Sequence, residues 1–294
     1  MQTKREIRQL LLSAGVRPNG HLGQHFLIDL NLMRLLVDSA NIRKDDIVLE
    51  VGCGTGSLTQ ALVEKAGQIV AVELDRNLFE IAENQLAHAN NIKLINTDIL
   101  ASKHTIHPAV TDAIAAAHEQ RSGRILLVAN LPYNVASPVM MNLLTGPITA
   151  DAMVVTVQKE VAERMTAGPS SNHYGTLSIF LGATGDVETL RILKPTVFWP
   201  RPQVDSAMVR FVRSPSKAEW IANMELFSKI VHLFMGHRRK TLLSSSRLAQ
   251  AELAPIPNWP QIFAQCRIDP AQRPEQLTPA DYVSIAKYGA NCPF

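Results

Sequence analysis

A glycine-rich loop and two acidic residues form the first group of side chains that could bind a ligand. A β-branched stretch ending at Val51 runs into Gly52-Cys53-Gly54-Thr55-Gly56, and glycines let a backbone turn sharply and approach a ligand closely. Ser57 stands where a dinucleotide-binding loop has its third glycine, which favours a smaller ligand. Glu73 and Asp98 each follow a further β-branched stretch. The pattern predicts a nucleoside cofactor, with Glu73 at its ribose and Asp98 at its adenine amine.

The second candidate site is Asn130-Leu131-Pro132-Tyr133, which follows another predicted strand. The amine of adenine is a poor nucleophile because its lone pair is delocalised into the ring. The side-chain oxygen of Asn130 and the carbonyl of Leu131 can accept its two hydrogens, which draws the nitrogen towards a tetrahedral geometry. Pro132 stiffens the turn, and Tyr133 can stack on the base, a contact worth about 1–3 kcal/mol. This segment therefore suits an adenine that has left its base stack.

Short strands that alternate with helices must position both candidate sites. Helical patterns cover residues 58–65 and 78–88, and Asp29 is expected to cap an earlier helix. Ser137-Pro138 is expected to begin another helix, while residues 101–123 are interpreted as a polar insertion. This alternation predicts a doubly wound α/β fold, with a parallel sheet and helices on both faces. The five strands predicted for it are 47–51, 69–73, 92–96, 125–129 and 153–157.

The later part of the chain changes in character. Two further strands, 187–193 and 207–212, precede Ser214-Pro215-Ser216, which is interpreted as a linker. Only helical patterns follow, over 224–235, 259–266 and 279–288. We therefore predict an α/β domain over residues 1–213 and a small all-helical domain over residues 214–294.

The net charge of +3 is unevenly distributed along the 294 residues. Residues 1–24 hold four Lys or Arg and one Asp or Glu, whereas residues 25–157 hold nine against fourteen. Residues 191–247 hold eleven against three. A charged run is often only a solvated surface, but Lys and Arg also displace counterions from nucleic acid. The two basic segments are therefore candidates for a phosphate-binding surface.

Composition excludes several classes of protein. Hydrophobic residues make up 46% of the chain, which excludes general disorder. No apolar run approaches the roughly 18 residues that a membrane span needs. Cys53, Cys266 and Cys292 lie too far apart for a CxxC site or a disulfide framework, which favours a reducing cytoplasm. His104 and His107 are three residues apart with no third ligand nearby, so no metal site is expected.

Seven segments occur in the order that is found in one known family. They are Gly23-Gln24-His25-Phe26-Leu27, the glycine loop, Glu73-Leu74-Asp75, Asn130-Leu131-Pro132-Tyr133, Gln158-Lys159-Glu160-Val161, Phe198-x-Pro200-x-Pro202-x-Val204-Asp205-Ser206 and Arg238-Arg239-Lys240-Thr241. Together they resemble the small-subunit rRNA adenine dimethyltransferase family, the KsgA/RsmA group. The resemblance extends from about residue 20 to residue 288. No single segment identifies the family, but the seven segments in this order are specific to it.

The resemblance implies a Rossmann-like methyltransferase domain with S-adenosyl-L-methionine as methyl donor. It also implies that Phe198 closes the face of the target adenine opposite Tyr133. His25 stands where the family usually has Asn, and the stretch between Asp98 and Asn130 is longer than usual. The positions that it implies for cofactor contacts are His25, Leu27, Gly52, Gly54, Glu73, Asp98 and Asn130.

The implied reaction places two methyl groups on each of two adjacent adenosines near the 3′ end of small-subunit (16S) rRNA. The implied partners are the small ribosomal subunit and its 16S rRNA, with a role in biogenesis of that subunit. A monomer that acts in the cytoplasm, without a membrane, is expected. The helical domain of residues 214–294 is expected to bind rRNA. Arg238-Arg239-Lys240, on a predicted helix, and Arg201 are the expected RNA contacts.

Three alternatives remain open from the sequence. A related enzyme could modify large-subunit rRNA, although the basic C-terminal segment favours the small subunit. A DNA adenine methylase would more often have Pro-Pro in place of Leu131-Pro132. A non-catalytic ribosome-assembly factor would not need the intact Asn130 to Tyr133 segment, although one protein could do both jobs.

Overall fold

The computed structural model describes residues 1–249, 253, 256 and 258–290, without the side chain of His21. Cys292, named above, lies outside the described residues. The chain divides into two compact units. The first comprises Met1–Ala162 and Glu188–Val212, and the second comprises Glu163–Val187 and Arg213–Phe294. The assignment of residues 214–294 as an rRNA-binding domain stays a prediction.

The strands of the described residues form one large sheet and two short ones. In chain order they are β1 (Phe26–Leu27), β2 (Ile47–Val51), β3 (Gln68–Glu73), β4 (Ile92–Asn96), β5 (Leu100–Ser102), β6 (Thr105–Ile106), β7 (Ile125–Asn130), β8 (Ala152–Gln158), β9 (Gly185–Leu193), β10 (Phe198–Trp199) and β11 (Ser206–Arg213). The large sheet has seven strands in the order β4-β3-β2-β7-β8-β11-β9, while β1 pairs with β10 and β5 pairs with β6.

The doubly wound α/β fold is confirmed, with one difference in the sheet. Strands β4, β3, β2, β7 and β8 are parallel to their neighbours in that row. Strand β11 instead runs antiparallel to β8, from the pair Ser206 and Gln158 to the pair Val212 and Ala152. The sheet is therefore mixed, because its parallel part ends at β8. Such an antiparallel edge on a parallel sheet is common in this fold class.

The helices lie between the strands and then dominate the end of the chain. Those described are α1 (Lys4–Ser13), α2 (Leu30–Ser39), α3 (Ser57–Val63), α4 (Arg76–Gln85), α5 (Pro108–Gln120), α6 (Ala136–Thr145), α7 (Lys159–Thr166), α8 (Thr176–Thr184), α9 (Pro215–Ala218), α10 (Met224–Gly236), α11 (Leu242–Ser246), α12 (Trp259–Cys266) and α13 (Pro279–Ala290). Short 3-10 turns with described bounds cover Gly20–Leu22, Pro195–Val197 and Pro274–Gln276.

The core of the first unit lies on both faces of the parallel strands. Every residue of β2 is buried, which explains its continuous apolar character, since strands covered on both faces need no alternation. Asp29 caps α2 as predicted, accepting hydrogen bonds from the backbone amides of Asn31 and Leu32. The cap directs Met33 and Leu36 of α2 into the core.

The interpretation of residues 101–123 as a polar insertion is wrong. They contain the β5–β6 hairpin and α5, a helix that buries Val110, Ile114 and Ala117 and contacts β2, β3 and β4. Two parallel strands need such a crossover connection. Helix α5 is therefore the regular crossover between β4 and β7, and its many alanines made its apolar face hard to recognise.

Two predicted helix positions are also corrected. Helix α6 begins at Ala136 after the N-cap Val135, so that Ser137 lies inside its first turn rather than capping it. Helix α10 ends at Gly236, and Arg238 to Lys240 lie in the turn that follows it. A turn displays consecutive side chains in several directions, so these three cations do not form a helical stripe.

The second unit is built from helices around aromatic residues. The ring of Phe180 on α8 meets that of Phe227 on α10 edge-on, with centroids 5.0 Å apart. Tyr174 and Tyr282 are buried, and their hydroxyls donate to the carbonyls of Leu277, at 2.7 Å, and Pro274, at 2.9 Å. Among the described residues, no helix is long and apolar enough to span a membrane.

Candidate active site

The glycine loop needs glycine for its backbone angles and for close packing. Gly52, Gly54 and Gly56 have φ angles of +73°, +59° and +81°, which disfavour a residue with a side chain. A β-carbon on Gly52 would lie 2.9 Å from Cγ of Pro132, and one on Gly54 would lie 3.0 Å from the ring of Phe26. The loop is thus packed directly against the Asn130 to Tyr133 segment.

Glu73, at the end of β3, is held by backbone amides. Its Oε2 accepts a hydrogen bond of 2.8 Å from the amide of Gly54, and its Oε1 accepts one of 2.9 Å from the amide of Asp75. Burial raises the pKa of the Glu73 carboxyl, and these two amides partly oppose the rise. The carboxylate is therefore fixed in direction, while each oxygen keeps a second lone pair for a ligand.

Glu50 is a functional candidate that sequence reasoning missed. It lies on β2 two residues before the glycine loop, is 1% exposed and lines the same cavity as Glu73. Its Oε2 has no hydrogen-bond partner among the described residues. Burial raises the pKa of the Glu50 carboxyl to about 8, and the nearby Glu73 adds to the rise, while the hydroxyl of Thr59 lowers it. In the sequence, Glu50 could have been identified as an acid inside an otherwise apolar strand.

The side chain of Asn130 is held from two sides. Its Nδ2 donates a 2.8 Å hydrogen bond to the backbone carbonyl of His25, and its Oδ1 accepts a hydrogen bond from the hydroxyl of Thr156. Because a carbonyl only accepts, the amino group of the amide must face His25. This arrangement fixes the orientation of the amide. Thr156 was not identified from the sequence, since only the pairing of β7 with β8 places it beside Asn130.

Tyr133 and His25 lie beside each other near the segment that follows β10. The Tyr133 hydroxyl is 2.7 Å from the hydroxyl of Ser206, and burial raises the pKa of the tyrosine. The His25 ring is 5.6 Å from the Tyr133 ring between centroids, and its Nδ1 lies 2.8 Å from the carbonyl oxygen of Pro200. Since that oxygen only accepts, Nδ1 carries a proton.

Phe198 lies elsewhere than its predicted role requires. Its side chain is 1% exposed and belongs to a core cluster with Leu27, its partner in the pairing of β1 with β10. The neighbouring Trp199 stacks on Phe26, with centroids 6.2 Å apart. Phe198 would have to leave this core to contact a target base. The role of Phe198 in closing the adenine face opposite Tyr133 therefore stays a prediction. In this structure its side chain lies in the core instead.

One cavity brings most of the predicted cofactor residues together. Asp98 is exposed at its edge, and its Oδ1 accepts a 2.9 Å hydrogen bond from the amide of Leu100. Leu131, Tyr133 and Phe198 are not among the residues that line this cavity. The predicted residues that do line it are His25, Leu27, Gly52, Gly54, Glu73, Asp98, Asn130 and Pro132.

The residues of this cavity fit S-adenosyl-L-methionine. The cofactor has a ribose diol and an adenine amine, which donate hydrogen bonds, and two positively charged groups near its methionine end. Glu73 and Asp98 supply acceptors for the donors, and the buried Oε2 of Glu50 lacks a partner until a donor or a cation arrives. Gly52 and Gly54 line the cavity with backbone alone, while Pro132 and Phe26 fill the positions that their β-carbons would need.

The predicted RNA contacts differ in their surroundings. The Arg238 guanidinium forms an ion pair with Glu275, with Nη2 2.9 Å from Oε2, and is partly buried. Arg239, Lys240 and Arg201 are exposed. Across the part of the chain that the structure describes, no group of three or more His, Cys, Asp or Glu could hold a metal ion.

Comparison with known proteins identifies the family of this chain. Residues 16–291 match the model of the family described as ribosomal RNA adenine dimethylase. The ribosomal RNA small subunit methyltransferase A of Alkaliphilus metalliredigens is 37% identical over 268 residues, covering 90% of each chain. The protein of the same name from Pelotomaculum thermopropionicum is 36% identical over 282 residues, covering 95% of this chain and 94% of its own.

Solved structures share the fold. A dimethyladenosine transferase from Plasmodium falciparum has a TM-score of 0.67 at 22% identity, covering 87% of this chain and 94% of its own. The 23S rRNA methyltransferase ErmE has a TM-score of 0.63 at 21% identity, covering 89% of this chain and 98% of its own. At 22% and 21% sequence identity, these two structures show only that the fold is shared. The match to the family model and the identity to its relatives show that this chain belongs to the ribosomal RNA adenine dimethylase family.

Proposed function

We propose that this protein dimethylates two adjacent adenosines near the 3′ end of small-subunit (16S) rRNA, with S-adenosyl-L-methionine as methyl donor. The observation that carries the proposal is the fixed amide of Asn130 at the edge of the cofactor cavity, between the His25 carbonyl and the Thr156 hydroxyl. The names of the relatives, which specify the small subunit, support this choice of substrate over the large subunit.

The chain's own residues hold the reactants and orient them. When bound, S-adenosyl-L-methionine would supply a methyl group on a positively charged sulfur. Direct displacement by the amine nitrogen would release a neutral thioether, and the nitrogen would give up one proton. Glu73 and Asp98 bind the adenosine part from fixed positions. Asn130 Oδ1, which keeps a second lone pair, and the carbonyl of Leu131 accept the hydrogens of the target amine. Catalysis is then mainly positioning and electrostatic orientation.

Tyr133 and the exposed cations act on the RNA. Tyr133 stacks on the extruded adenine, with its hydroxyl tied to Ser206. Phosphates are contacted by Arg239, Lys240 and Arg201. Arg238 contacts a phosphate only when its ion pair with Glu275 breaks. The protein works as a monomer in the cytoplasm on the small ribosomal subunit during its biogenesis.

Counting transferred methyl groups tests the proposal. Labelled S-adenosyl-L-methionine is given with unmethylated small subunits, with large subunits and with naked 16S rRNA, and the products are digested to nucleosides. We expect four methyl groups per small subunit, all in dimethyladenosine, and none on large subunits. The Tyr133→Ala variant is the control for background transfer. Transfer to large subunits alone, or stable binding to small subunits without transfer, contradicts the proposal.

A further inference from the structure

Helix α1 has an inner face that belongs to the cofactor cavity. Ile7 is fully buried and Leu11 is 2% exposed, and both pack with Leu78 and Ile81 of α4. Ile7 also lines the cavity that holds Glu73 and the glycine loop. Through Ile7, the inner face of α1 therefore contributes to the wall of this cavity.

The start of α1 is tied to the glycine loop. Gln2 is 4% exposed, and its backbone amide donates a 2.7 Å hydrogen bond to Oγ of Ser57. Its side chain donates to the carbonyl of Thr55 at 3.1 Å and accepts from the hydroxyl of Thr55 at 2.7 Å. A capping box between Thr3 and Glu6 then begins the helix. These bonds fix which side of α1 faces outward.

The outer face of α1 is basic. Lys4, Arg5 and Arg8 are exposed, and residues four apart lie on one side of a helix. The acid of this helix, Glu6, is engaged by Thr3 through bonds of 2.6 and 2.7 Å, which lower the pKa of its carboxyl. Within the described ranges, no ion pair involves any of the three cations. Their charge is thus available to an external anion.

We propose that the outer face of α1, formed by Lys4, Arg5 and Arg8, binds the phosphate backbone of the rRNA substrate. The proposal rests on the proposed function for the identity of the polyanion. It concerns residues that precede the region matched by the family model, residues 16–291. The backbone of α1 is already ordered before RNA binds. Contact with phosphates therefore costs only the conformational entropy of the three side chains. One helix thereby contributes to the cofactor cavity on one side and to RNA binding on the other.

The salt dependence of RNA binding tests the role of these three side chains. The triple variant Lys4→Gln, Arg5→Gln, Arg8→Gln is compared with the wild-type chain by measuring the dissociation constant for unmethylated small subunits over a series of KCl concentrations. Each phosphate contact contributes roughly 0.7–0.9 to the slope of log K against log salt, so we expect the slope to fall by about 2. Affinity for S-adenosyl-L-methionine, measured by calorimetry, is expected to stay within about twofold, because no changed side chain lines the cavity.

A matched control removes the same charge elsewhere. Arg43, Lys44 and Lys93 are exposed at the amino ends of β2 and β4, the edge of the sheet opposite the cavity. Their triple Gln variant is expected to keep the wild-type slope. A slope for the α1 variant equal to that of wild type, or an equal fall in both variants, overturns the proposal. If the wild-type chain binds with the expected slope but transfers no methyl groups, the proposed function fails while the α1 contact stands.

Discussion

Pro132 occupies the space beside the α-carbon of Gly52, where a β-carbon would lie only 2.9 Å from its Cγ. The cofactor loop and the segment that is proposed to hold the target adenine are therefore in direct contact. A change in one of them must displace the other. The sequence showed both segments but not this contact, which depends on β2 and β7 being neighbours in the sheet.

Gly52→Ala is expected to impair both sites at once. The φ angle of +73° costs an alanine about 1–2 kcal/mol, and the added carbon also pushes on Pro132. We expect a lower melting temperature, weaker binding of S-adenosyl-L-methionine and a fall in kcat. Gly168→Ala is the control, since nothing lies within 4 Å of the added carbon. Wild-type kcat in Gly52→Ala would show that the contact is unimportant.

Thr156 tests whether the orientation of Asn130 matters for the reaction. Thr156→Val keeps the shape but removes the hydroxyl that donates to Asn130 Oδ1. A lost hydrogen bond of about 1 kcal/mol corresponds to roughly a fivefold fall in kcat, with little change in the KM for S-adenosyl-L-methionine. Thr156→Ser restores the hydroxyl and is expected to recover most of kcat. Equal kcat values for Val and Ser would assign Thr156 a packing role only.

Glu73 and Tyr133 are expected to separate cofactor binding from methyl transfer. Glu73→Ala removes the acceptor that lines the cavity and is held by Gly54 and Asp75, so cofactor affinity is expected to fall at least tenfold. Tyr133→Ala is expected to leave cofactor affinity nearly unchanged, because its side chain does not line the cavity, and to abolish methylation. Calorimetry with S-adenosyl-L-methionine and a labelled-methyl assay measure the two effects. Parallel losses in both variants would contradict the separation of the two sites.

Glu50 makes the stability of the cofactor-free protein depend on pH. The folded state keeps the proton on Glu50 up to a pKa of about 8, whereas an unfolded chain releases it near 4.5. The favourable contribution is thus complete below pH 4.5 and is lost as the pH rises to 8, by at most about 1.4 kcal/mol per pH unit. Glu73, whose pKa is also raised by burial, contributes in the same direction.

Glu50→Gln is expected to flatten this dependence, because the amide does not titrate. Urea unfolding at intervals between pH 5 and pH 8.5 measures the slope, and Glu119→Gln, at an exposed position of α5, serves as the control. A slope in Glu50→Gln that matches wild type would mean that Glu50 is ionised in the folded protein despite its burial.

The turn after α10 offers a test of RNA binding in the second unit. Charge reversal at Arg239 and Lys240 is expected to weaken binding to small subunits and to lower the salt slope by about 1–2. Arg238 is left unchanged, because reversing it would place two acids together at Glu275 and destabilise the fold. Reversal at Arg43 and Lys44 is the control. An unchanged slope in the Arg239 and Lys240 variant would leave that turn as ordinary surface.

Much of the fold was predictable where the local pattern is strong. The strands predicted at 47–51 and 92–96 match β2 and β4, because short runs that contain Ile or Val between turn residues favour strands. Helix α5 was missed because its many alanines weaken the amphipathic pattern. The segment of α1 was noted for its basic charge, but no helix was predicted there.

The candidate site was predictable in its motifs but not in their supports. The glycine loop, Glu73 and Asn130 are recognisable by type and spacing, and the cavity brings them together. Thr156 and Ser206 contact Asn130 and Tyr133 from strands that are far away in the sequence, and no local pattern indicates such partners. Phe198 was assigned from its motif alone, whereas its burial depends on the packing of β10 with β1.

The two bonds to the Asn130 amide have a consequence for the affinity of the adenine. Both the His25 carbonyl and the Thr156 hydroxyl belong to the folded chain, so the rotamer of Asn130 is selected during folding. Immobilising a polar side chain at the moment of association costs about 0.5–1.5 kcal/mol. Asn130 Oδ1 has therefore already lost its rotational freedom when an adenine binds. Compared with a side chain that becomes ordered only on binding, it leaves more of the contact energy to hold the base outside its stack.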